Sequence, residues 1–362
     1  MSKLRVLEVS GSFYDIGYQH GKAHYDAIHH FTEDRIELSR TEKWTGRTLS
    51  REAVLALAEA CVPAHEAYSP ELMEELRGTA DATGLSLAEL IVNNGFTDFI
   101  DTVYAVGDIT AAKNPAIVAD NCTAFLVPPS ATDAGQGFFG QTWDMHASAT
   151  PHVMLLHGKS DTAPDFLSFT ITGCIGMIGM NAAGIAVGIN NIMARHGQIG
   201  VIWNFVVRKI LMQDNLDDAL ACITDAPLAG AHNYLLMDKH GNGYNVEGMP
   251  EHKEVTKLDN AVLAHTNHCV IEQTHAMERE RPAASQASSA KRLHRAGDLL
   301  AQRPITLDTL KAITRDEEAI CVRESEPMHV ESCGAAIMSP STGEFHAVWG
   351  LPSENEYERF VI

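Results

Sequence analysis

A cysteine interrupts an apolar stretch of this chain in a way that could serve chemistry. Within residues 118–127 (VADNCTAFLV), a polar run that contains Asn121 and Cys122 lies between apolar residues. Polar groups inside a buried strand destabilise a fold unless they have partners. Two interpretations follow. Cys122 is a small buried hydrophobic residue, as most free cysteines are, or it is a nucleophile whose polar neighbours assist it.

Further polar side chains lie at the ends of three apolar, strand-like segments: Asp144, Asn190, and Asn267 with its neighbours His265 and His268. Two adjacent antiparallel strands could place Asp144 beside Cys122. Asparagine amides can donate hydrogen bonds to an oxyanion. An asparagine at a strand end is more often a turn former, so each signal is weak by itself.

The elements that must position these residues change in character along the chain. The first third has a pattern typical of helices. Ser50 and the Ser-Pro-Glu sequence at 69–71 indicate two helix starts, and Gly84 indicates the end of the second. A capping box of Ser86 and Glu89 predicts the next start. We therefore expect an N-terminal layer of helices.

After about residue 115, the pattern predicts short strands and glycine-rich turns. The predicted strands are 153–157, 166–172, 185–189, 234–237 and 261–264, with turns at 181–184, 238–243 and 339–343. Helices are expected at 203–223 and 289–302. A helical layer joined to an antiparallel, helix-covered sheet indicates a single α+β unit.

The composition limits the classes of partner. The 362 residues have a formal net charge of −20, which disfavours nucleic acid or an anionic membrane surface as a partner. No apolar run predicts a membrane span, and residues 1–14 lack the apolar length of a secretory signal. We therefore expect a cytoplasmic protein. Seven widely spaced cysteines without a Cys-x-x-Cys pair fit neither a disulfide framework nor a zinc ribbon.

Taken in order, the motifs resemble those of a known family. The segments that carry the resemblance are 11–21, 120–123, 141–144, 180–190, 265–268 and 315–321. The chain resembles the acyl-coenzyme A:6-aminopenicillanic acid acyltransferase family of N-terminal nucleophile hydrolases, which includes β-alanyl-amine hydrolases. The resemblance implies a four-layer αββα sandwich, with two antiparallel sheets between helical layers.

The resemblance also implies self-cleavage between Asn121 and Cys122. The products would be an α chain of residues 1–121 and a β chain of residues 122–362, which stay associated as one domain. The new α-amino group has an ordinary pKa of about 7.7–8.0, so one residue supplies both the nucleophile and the general base. Glycine usually precedes the cysteine in this family, and Asn121 is a departure that bears on the efficiency of cleavage.

Roles for the remaining residues follow from the same resemblance. Asp144 would orient the α-ammonium group of Cys122, while Asn267 and Asn190 would donate to the oxyanion. Gln141 stands where related bile-salt hydrolases carry an arginine. We expect Gln141 to face the substrate, and His265 and His268 to be structural or to face the substrate.

The favoured function is hydrolysis of a linear small-molecule amide through an acyl-thioester on Cys122. Acyl transfer, in which an amine resolves that thioester, needs the same residues. Hydrolysis is favoured because water is abundant and no basic pocket for coenzyme A phosphates is apparent. An unprocessed binding protein, suggested by Asn121, and a metallohydrolase, suggested by His20 and His24, are alternatives from other classes. We expect no metal and no cofactor. The sequence does not decide whether the protein forms a homo-oligomer.

Overall fold

The computed structural model describes residues 4–103, 122–326 and 329–362 and places them in two β-sheets and surrounding helices. The helices are α1 (Phe13–Ala23), α2 (Tyr25–Ser39), α3 (Glu42–Thr45), α4 (Arg51–Tyr68), α5 (Pro70–Thr83), α6 (Leu87–Gly95), α7 (Asp98–Thr102), α8 (Trp203–Ile210), α9 (Leu216–Thr224), α10 (Glu272–His275), α11 (Ala283–Ala301) and α12 (Leu307–Thr314). The strands are β1 (Arg5–Gly11), β2 (Thr123–Val127), β3 (Phe138–His146), β4 (Val153–Ser160), β5 (Phe166–Ile171), β6 (Ile178–Asn181), β7 (Ile185–Asn191), β8 (His232–Asp238), β9 (Gly243–Gly248), β10 (Lys253–Lys257), β11 (Leu263–His265), β12 (Val330–Ser339), β13 (Glu344–Trp349) and β14 (Glu358–Val361).

The strands form one eight-stranded sheet, in the order β1-β4-β5-β6-β7-β8-β9-β10, and one six-stranded sheet, in the order β11-β2-β3-β12-β13-β14. Neighbouring strands are antiparallel, except that β1 and β4 are parallel. The predicted turns at 181–184, 238–243 and 339–343 join β6 to β7, β8 to β9, and β12 to β13. The predicted strands are confirmed, with bounds that differ by a few residues.

The two sheets pack face to face, with helices on their outer sides. Strands β2 and β3 contact β7 and β8, helices α1, α8 and α9 pack on the eight-stranded sheet, and α11 and α12 pack on the six-stranded sheet. A Cβ atom at Gly188 would lie 2.2 Å from the Phe139 ring and 2.3 Å from Gln141 Oε1. Glycine is therefore required at this close approach of the sheets. The predicted α+β, four-layer αββα sandwich is confirmed.

The main hydrophobic core joins the N-terminal helices to both sheets. It takes side chains such as Ile16 and Leu90 from the N-terminal helices and Phe139 and Leu235 from the two sheets. Residues from before and after the predicted cleavage point at residue 121 thus stabilise the same core. In the described part of the chain, no helix combines the length and apolar character that crossing a bilayer requires.

Residues 11–21 form a helix-packing element. A Cβ atom at Gly17 would lie 1.7 Å from the backbone oxygen of Glu75, and one at Gly78 would lie 2.1 Å from the backbone oxygen of Tyr14. Helices α1 and α5 therefore contact each other along their backbones, which no larger residue would permit.

Three of the predicted signals at helix ends are confirmed. Ser50 accepts a hydrogen bond from the backbone N–H of Ala53 at the start of α4. Ser86 and Glu89 form the capping box of α6. Gly84 ends α5 in the left-handed region, with φ of 75°, where glycine has no steric penalty.

The single helix predicted at 203–223 is wrong. The structure contains two helices there, because α8 ends at Ile210 and α9 begins at Leu216. The Asn215 side chain accepts a hydrogen bond from the backbone N–H of Asp218. Such a side-chain cap competes with continuation of the preceding helix.

Three further local expectations need correction. The N-terminal third is not wholly helical, since β1 pairs with β4 near residue 154, a partner too distant for a local pattern to indicate. Helix α11 begins at Ala283, directly after Pro282, rather than at residue 289. The Ser69 hydroxyl donates to the Glu71 carboxylate instead of accepting a helix N–H.

Candidate active site

Cys122 lies directly before β2 and is 2% exposed. Strand β2 is antiparallel to β3, and the pair Thr123–Thr142 sets the register. The Cys122 Sγ therefore lies 3.9 Å from the backbone oxygen of Asp144. The structure brings these two residues together. Asn121, on the other side of the predicted cleavage point, lies outside the described residues.

The carboxylate of Asp144 is fully buried and is held by a serine that the sequence did not indicate. Ser332 Oγ donates to Asp144 Oδ1 at 2.6 Å and accepts from the backbone N–H of Val322 at 2.9 Å. Ser332 lies at a register shift of β12 against β3, and such bulges redirect side chains. Since 188 residues separate Ser332 from Asp144, no local pattern could have paired them.

Asn267 and Cys122 are joined by a buried arginine, Arg292. The Arg292 Nη2 donates to Asn267 Oδ1 at 2.9 Å, and its Nη1 donates to the backbone oxygen of Cys122 at 2.6 Å and to Thr123 Oγ1 at 3.2 Å. Asn267 Nδ2 donates to the backbone oxygen of Asn191 at 3.0 Å. Charge-assisted bonds of this kind hold the amide in one orientation relative to the cysteine.

The sequence contains a signal for Arg292 in the pattern of its helix. The buried residues of α11 are Ser289, Arg292, Ala296 and Leu300, which lie on one helix face. A serine and an arginine on the buried face of a helix require buried partners. Polar residues on an apolar stripe therefore indicate a site, although not its partners.

The two histidines that flank Asn267 have different surroundings. His265 is fully buried, with Nε2 2.9 Å from Glu247 Oε1 and Nδ1 2.8 Å from the backbone oxygen of the next residue. His268 is partly exposed, and its Nδ1 lies 2.7 Å from Ser289 Oγ. That oxygen also accepts the backbone N–H of Asn267 at 2.9 Å. His265 contacts protein groups with both nitrogens, and His268 reaches the surface.

Gln141 and Asn190 lie where the two sheets meet. Gln141 Nε2 donates to the backbone oxygen of Ile189, and Gln141 Oε1 accepts from the Ile189 N–H at 3.0 Å. Asn190 is fully buried, and its amide has no hydrogen-bond partner among residues 4–103, 122–326 and 329–362. Asn191, the next residue, lines a cavity together with Cys122.

That cavity is narrow, with a volume of about 10 Å³, which is about the room of one water molecule. Its walls are mostly apolar: Phe96, Trp143, Met145, Ile171, Met177, Ile189 and Trp203. The polar groups on it are Asn94, Thr97, Asn191 and His232. Two of the walls are methionine side chains, Met145 and Met177, which are flexible.

A second, surface pocket of about 350 Å³ lies near Asn267. It is lined by Arg195, His268, His275, Glu278, Arg279, Glu280, Arg281 and Gln286. Arg281 Nη2 lies 3.3 Å from the backbone oxygen of Asn191, which links this pocket to the cavity. Burial and neighbouring cationic groups lower the pKa of His268 to about 4, so this histidine is neutral near pH 7.

The remaining cysteines have surroundings that suppress nucleophilic chemistry. Burial raises the thiol pKa of Cys61 and Cys174 to about 11 and that of Cys222 to about 12. Burial likewise raises the pKa of Cys269, Cys321 and Cys333. These groups remain protonated near neutral pH and are poor nucleophiles.

Of the two histidines that suggested a metal, His20 is buried and bonds the protein backbone. His20 Nε2 accepts a hydrogen bond from the backbone N–H of Gly173 at 3.1 Å, and burial lowers its pKa to about 3. In the described ranges, no group of three or more His, Cys, Asp or Glu side chains could hold a metal ion.

Comparison with known proteins gives one family match. The family model for acyl-coenzyme A:6-aminopenicillanic acid acyl-transferase matches residues 130–353, more than half of the chain. The matched segment contains Asp144, Asn190 and Asn267, and Cys122 lies just before it.

Two relatives have similar sequences. The acyl-coenzyme A:6-aminopenicillanic-acid-acyltransferase 40 kDa form of Emericella nidulans is 25% identical over 264 residues, which cover 71% of this chain and 67% of that protein. An uncharacterised protein of Archaeoglobus fulgidus is 26% identical over 253 residues, 65% of this chain. The match spans only 41% of the Archaeoglobus protein.

Two solved structures are also similar. A mutant of conjugated bile acid hydrolase from Clostridium perfringens has a TM-score of 0.46 and 14% identity, over 67% of this chain and 97% of its own. Penicillin V acylase from Agrobacterium tumefaciens has a TM-score of 0.39 and 11% identity, over 67% of this chain and 86% of its own.

Proposed function

Because the chain belongs to the acyl-coenzyme A:6-aminopenicillanic acid acyl-transferase family and is thus an enzyme of the N-terminal nucleophile type, we propose that it hydrolyses a linear amide through an acyl-thioester on Cys122. The observation that carries this proposal is the hydrogen-bond network around Cys122. Ser332 holds the Asp144 carboxylate. Arg292 joins the Asn267 side chain to the backbone oxygen of Cys122. This network supplies the parts that a cysteine amidase needs.

Maturation comes first in the proposed sequence. The Cys122 thiol attacks the carbonyl carbon of Asn121, the acyl group moves from nitrogen to sulfur, and water hydrolyses the resulting thioester. The α chain of residues 1–121 then ends in a carboxylate, and the β chain of residues 122–362 begins with a free amine. Because both parts contribute to one hydrophobic core, they would remain associated after the peptide bond is cut.

Turnover uses the new amine as the base. The α-amino group takes the thiol proton, and the thiolate attacks the substrate carbonyl. The α-ammonium group then protonates the leaving amine, and an activated water releases the acid from the thioester. Asn267 is held by Arg292 and by the backbone of Asn191. Its side-chain amide would donate to the oxyanion, while the Asp144 carboxylate orients the ammonium.

The cavity lined by Cys122, and the surface pocket that Arg281 links to it, suggest where the halves of the amide bind. The leaving amine must depart before water attacks the thioester, so it needs an open path. We place that path through the charged surface pocket next to His268, which Arg281 links to the cavity. The acyl half then occupies the narrow cavity lined by Trp143 and Trp203. We therefore assign a mostly apolar acyl group to the enclosed side and a polar amine to the open side.

Acyl transfer is the second candidate, favoured by the Emericella relative whose name describes an acyltransferase. In that case an acceptor amine would enter the surface pocket and resolve the thioester. Glu278 and Glu280 line this pocket together with its arginines. That mixture of charges suits a small polar amine better than the phosphates of a coenzyme, so we favour water as the acceptor.

The proposal is tested by the intact mass of the purified protein followed by a screen for substrates. We expect two chains that divide before Cys122. β-Alanyl, phenylacetyl and long-chain N-acyl amines should then be screened for release of free acid, with mass spectrometry of the trapped acyl-enzyme. A single uncut chain that binds amides without turnover would contradict the proposal and support the binding protein. Amine-dependent ester or amide formation faster than acid release would identify the transferase.

A further inference from the structure

Gln141 is a fully buried polar residue of β3 to which the proposed mechanism gives no task. Its side-chain amide bonds one residue of the other sheet twice. Gln141 Nε2 donates to the backbone oxygen of Ile189, and Gln141 Oε1 accepts from the Ile189 N–H at 3.0 Å. Because a backbone N–H only donates and a backbone oxygen only accepts, these partners fix which end of the amide is nitrogen and which is oxygen.

The two bonds lie where β7 has fewer partners in its own sheet. Among the described residues, the last residue of β7 that pairs with β6 is Val187, and Ile189 lies two residues beyond it. Only β8 still pairs with β7 there, as far as Asn191. The Gln141 amide therefore holds β7 from the other sheet, at a point where β6 no longer pairs with the strand.

The strand end that Gln141 holds leads directly to the proposed site. Strand β7 ends at Asn191, which lines the cavity together with Cys122. The backbone oxygen of Asn191 accepts from Asn267 Nδ2 at 3.0 Å. A shift of this strand end would therefore move the carbonyl that holds Asn267, the proposed oxyanion donor.

We propose that Gln141 is a positioning residue for the oxyanion. By fixing the backbone of Ile189, it keeps the Asn191 carbonyl, and through it the Asn267 amide, where the reaction needs them. It acts without touching the substrate, because the nitrogen and the oxygen of its amide both bond backbone groups and the side chain is fully buried. This inference rests on the proposed function, since it takes Asn267 as the oxyanion donor.

The first test measures steady-state kinetics of processed Gln141→Met, which fills a similar space and makes neither bond. We expect kcat to fall about tenfold, because a misplaced donor weakens stabilisation of the transition state. The KM should change by less than about twofold, because ground-state binding is not affected. A raised KM with an unchanged kcat would instead place Gln141 against the substrate and overturn the inference.

A double-mutant cycle distinguishes positioning from a general loss of structure. If Gln141 acts through Asn267, Gln141→Met should lower kcat by less than about twofold once Asn267 has been changed to alanine. Losses that multiply, so that Gln141→Met costs the same with and without Asn267, would show that Gln141 does not act through it.

Asn181→Leu is the matched control. Asn181 is also fully buried, and its Oδ1 accepts from the N–H of Ile185 at the start of β7, at 2.9 Å. Its Nδ2 donates to the backbone oxygens of Leu211 and Gln213. This variant should lower the urea midpoint, as Gln141→Met does, and leave kcat like that of wild type. An equal fall of kcat in both variants would contradict a specific role for Gln141.

Gln141→Glu keeps the test decisive if Gln141→Met does not fold. A protonated glutamate has one donor and one acceptor and can make both bonds to Ile189, whereas a carboxylate can only accept. Burial favours the protonated form. The ratio of its kcat to that of wild type should therefore be near one at the acid end of the pH profile and fall once the carboxyl ionises. A ratio that is low at every pH would refute the inference.

The proposed function fails separately. If no amide gives turnover that is absent from Cys122→Ala, the assignment of the nucleophile is wrong and the inference falls with it. Turnover that depends on Cys122 and Asn267 but has the same kcat in Gln141→Met as in wild type removes only the role of Gln141.

Discussion

The cavity lined by Cys122 and the surface pocket that Arg281 links to it have opposite chemistry. On one side is a closed, mostly apolar cavity of about 10 Å³, in which burial keeps His232 neutral by lowering its pKa to about 3. On the other side is a surface pocket of about 350 Å³ lined by arginine, glutamate and histidine. The buried Arg292 donates to the backbone oxygen of Cys122 and to Asn267 Oδ1.

The difference indicates how such a site can separate the halves of an amide. A group that stays on the enzyme as a thioester benefits from apolar contact and from exclusion of water. A group that leaves benefits from an exit to solvent. The chemistry proposed for Cys122, Asp144 and Asn267 requires both, since the first product must depart before water reaches the thioester. Variants on each side should therefore fail in different ways.

The largest effect is expected from removal of the nucleophile between the two sides. Cys122→Ala should remain one 362-residue chain and show no turnover above background, because no thiol is present to attack residue 121 or a substrate. Cys122→Ser should divide slowly, since a hydroxyl is a poorer nucleophile. Intact mass and acid release measure both effects. Cys222→Ala is the control, with processing like that of wild type, and a Cys122→Ala chain that still divides at the same bond would refute self-cleavage.

On the polar side, Asn267→Ala should lower kcat by about a hundredfold or more with little change in KM, because an oxyanion donor acts mainly in the transition state. Arg292 would keep its bonds to Cys122 and Thr123, so the fold should persist. Steady-state kinetics on processed enzyme give the answer. A kcat close to that of wild type would mean that Asn190 or backbone amides stabilise the oxyanion instead. Asn190→Ala should therefore be measured beside Asn267→Ala.

Asp144→Asn should lower the rate of processing or of turnover by about tenfold or more. The pH–rate profile supplies the distinguishing result. A carboxylate stabilises a nearby ammonium and so raises its pKa, and its loss should move the acid limb of kcat/KM to lower pH. Ser332→Ala, which removes only the hydroxyl that holds this carboxylate, should give a smaller change. An unchanged profile and rate in Asp144→Asn would remove Asp144 from the site.

On the closed side, acidification should destabilise the fold. The pKa of His232 is about 3 in the folded chain, against 6.5 for an ordinary histidine. Below pH 6.5 the unfolded chain binds a proton that the folded chain does not, so stability falls as the pH decreases. The slope attributable to His232 is about 1 kcal/mol per pH unit.

Urea unfolding between pH 7.5 and pH 5 measures that slope. His232→Gln should make the decline shallower without abolishing it, because other buried histidines such as His65 also have lowered pKa values. His294→Gln, at an exposed histidine, should leave the slope as in wild type. An equal slope in His232→Gln and wild type would mean that His232 is not held neutral.

The smallest effect is expected at the rim of the surface pocket. Arg195 is exposed there, so Arg195→Gln should raise KM about threefold for substrates whose amine half is anionic, as for other solvent-screened charges. The same variant should not alter the preference among acyl groups, since those lie on the closed side. A changed acyl preference would contradict the assignment of the two halves.

Local sequence patterns predicted much of the frame. The caps at Ser50 and Ser86, the left-handed Gly84 and the hairpin turns were correct because each depends on a few neighbouring residues. Cys122 was identifiable by the polar run that interrupts its strand. The break between α8 and α9 was missed because the Asn215 cap competes with an apolar stripe that continues across it.

The sequence by itself identified Cys122, Asp144 and Asn267 as candidates and predicted the helices and strands that carry them. Only the tertiary structure decided their partners. Arg292 bonds Cys122 across 170 residues, and Thr97 meets His232 across 135. Periodicity and capping describe interactions a few residues apart, whereas these bonds form only when sheet register and helix packing bring distant segments within 3.5 Å. The residue types of the site can therefore be read from the sequence, whereas its geometry depends on tertiary packing.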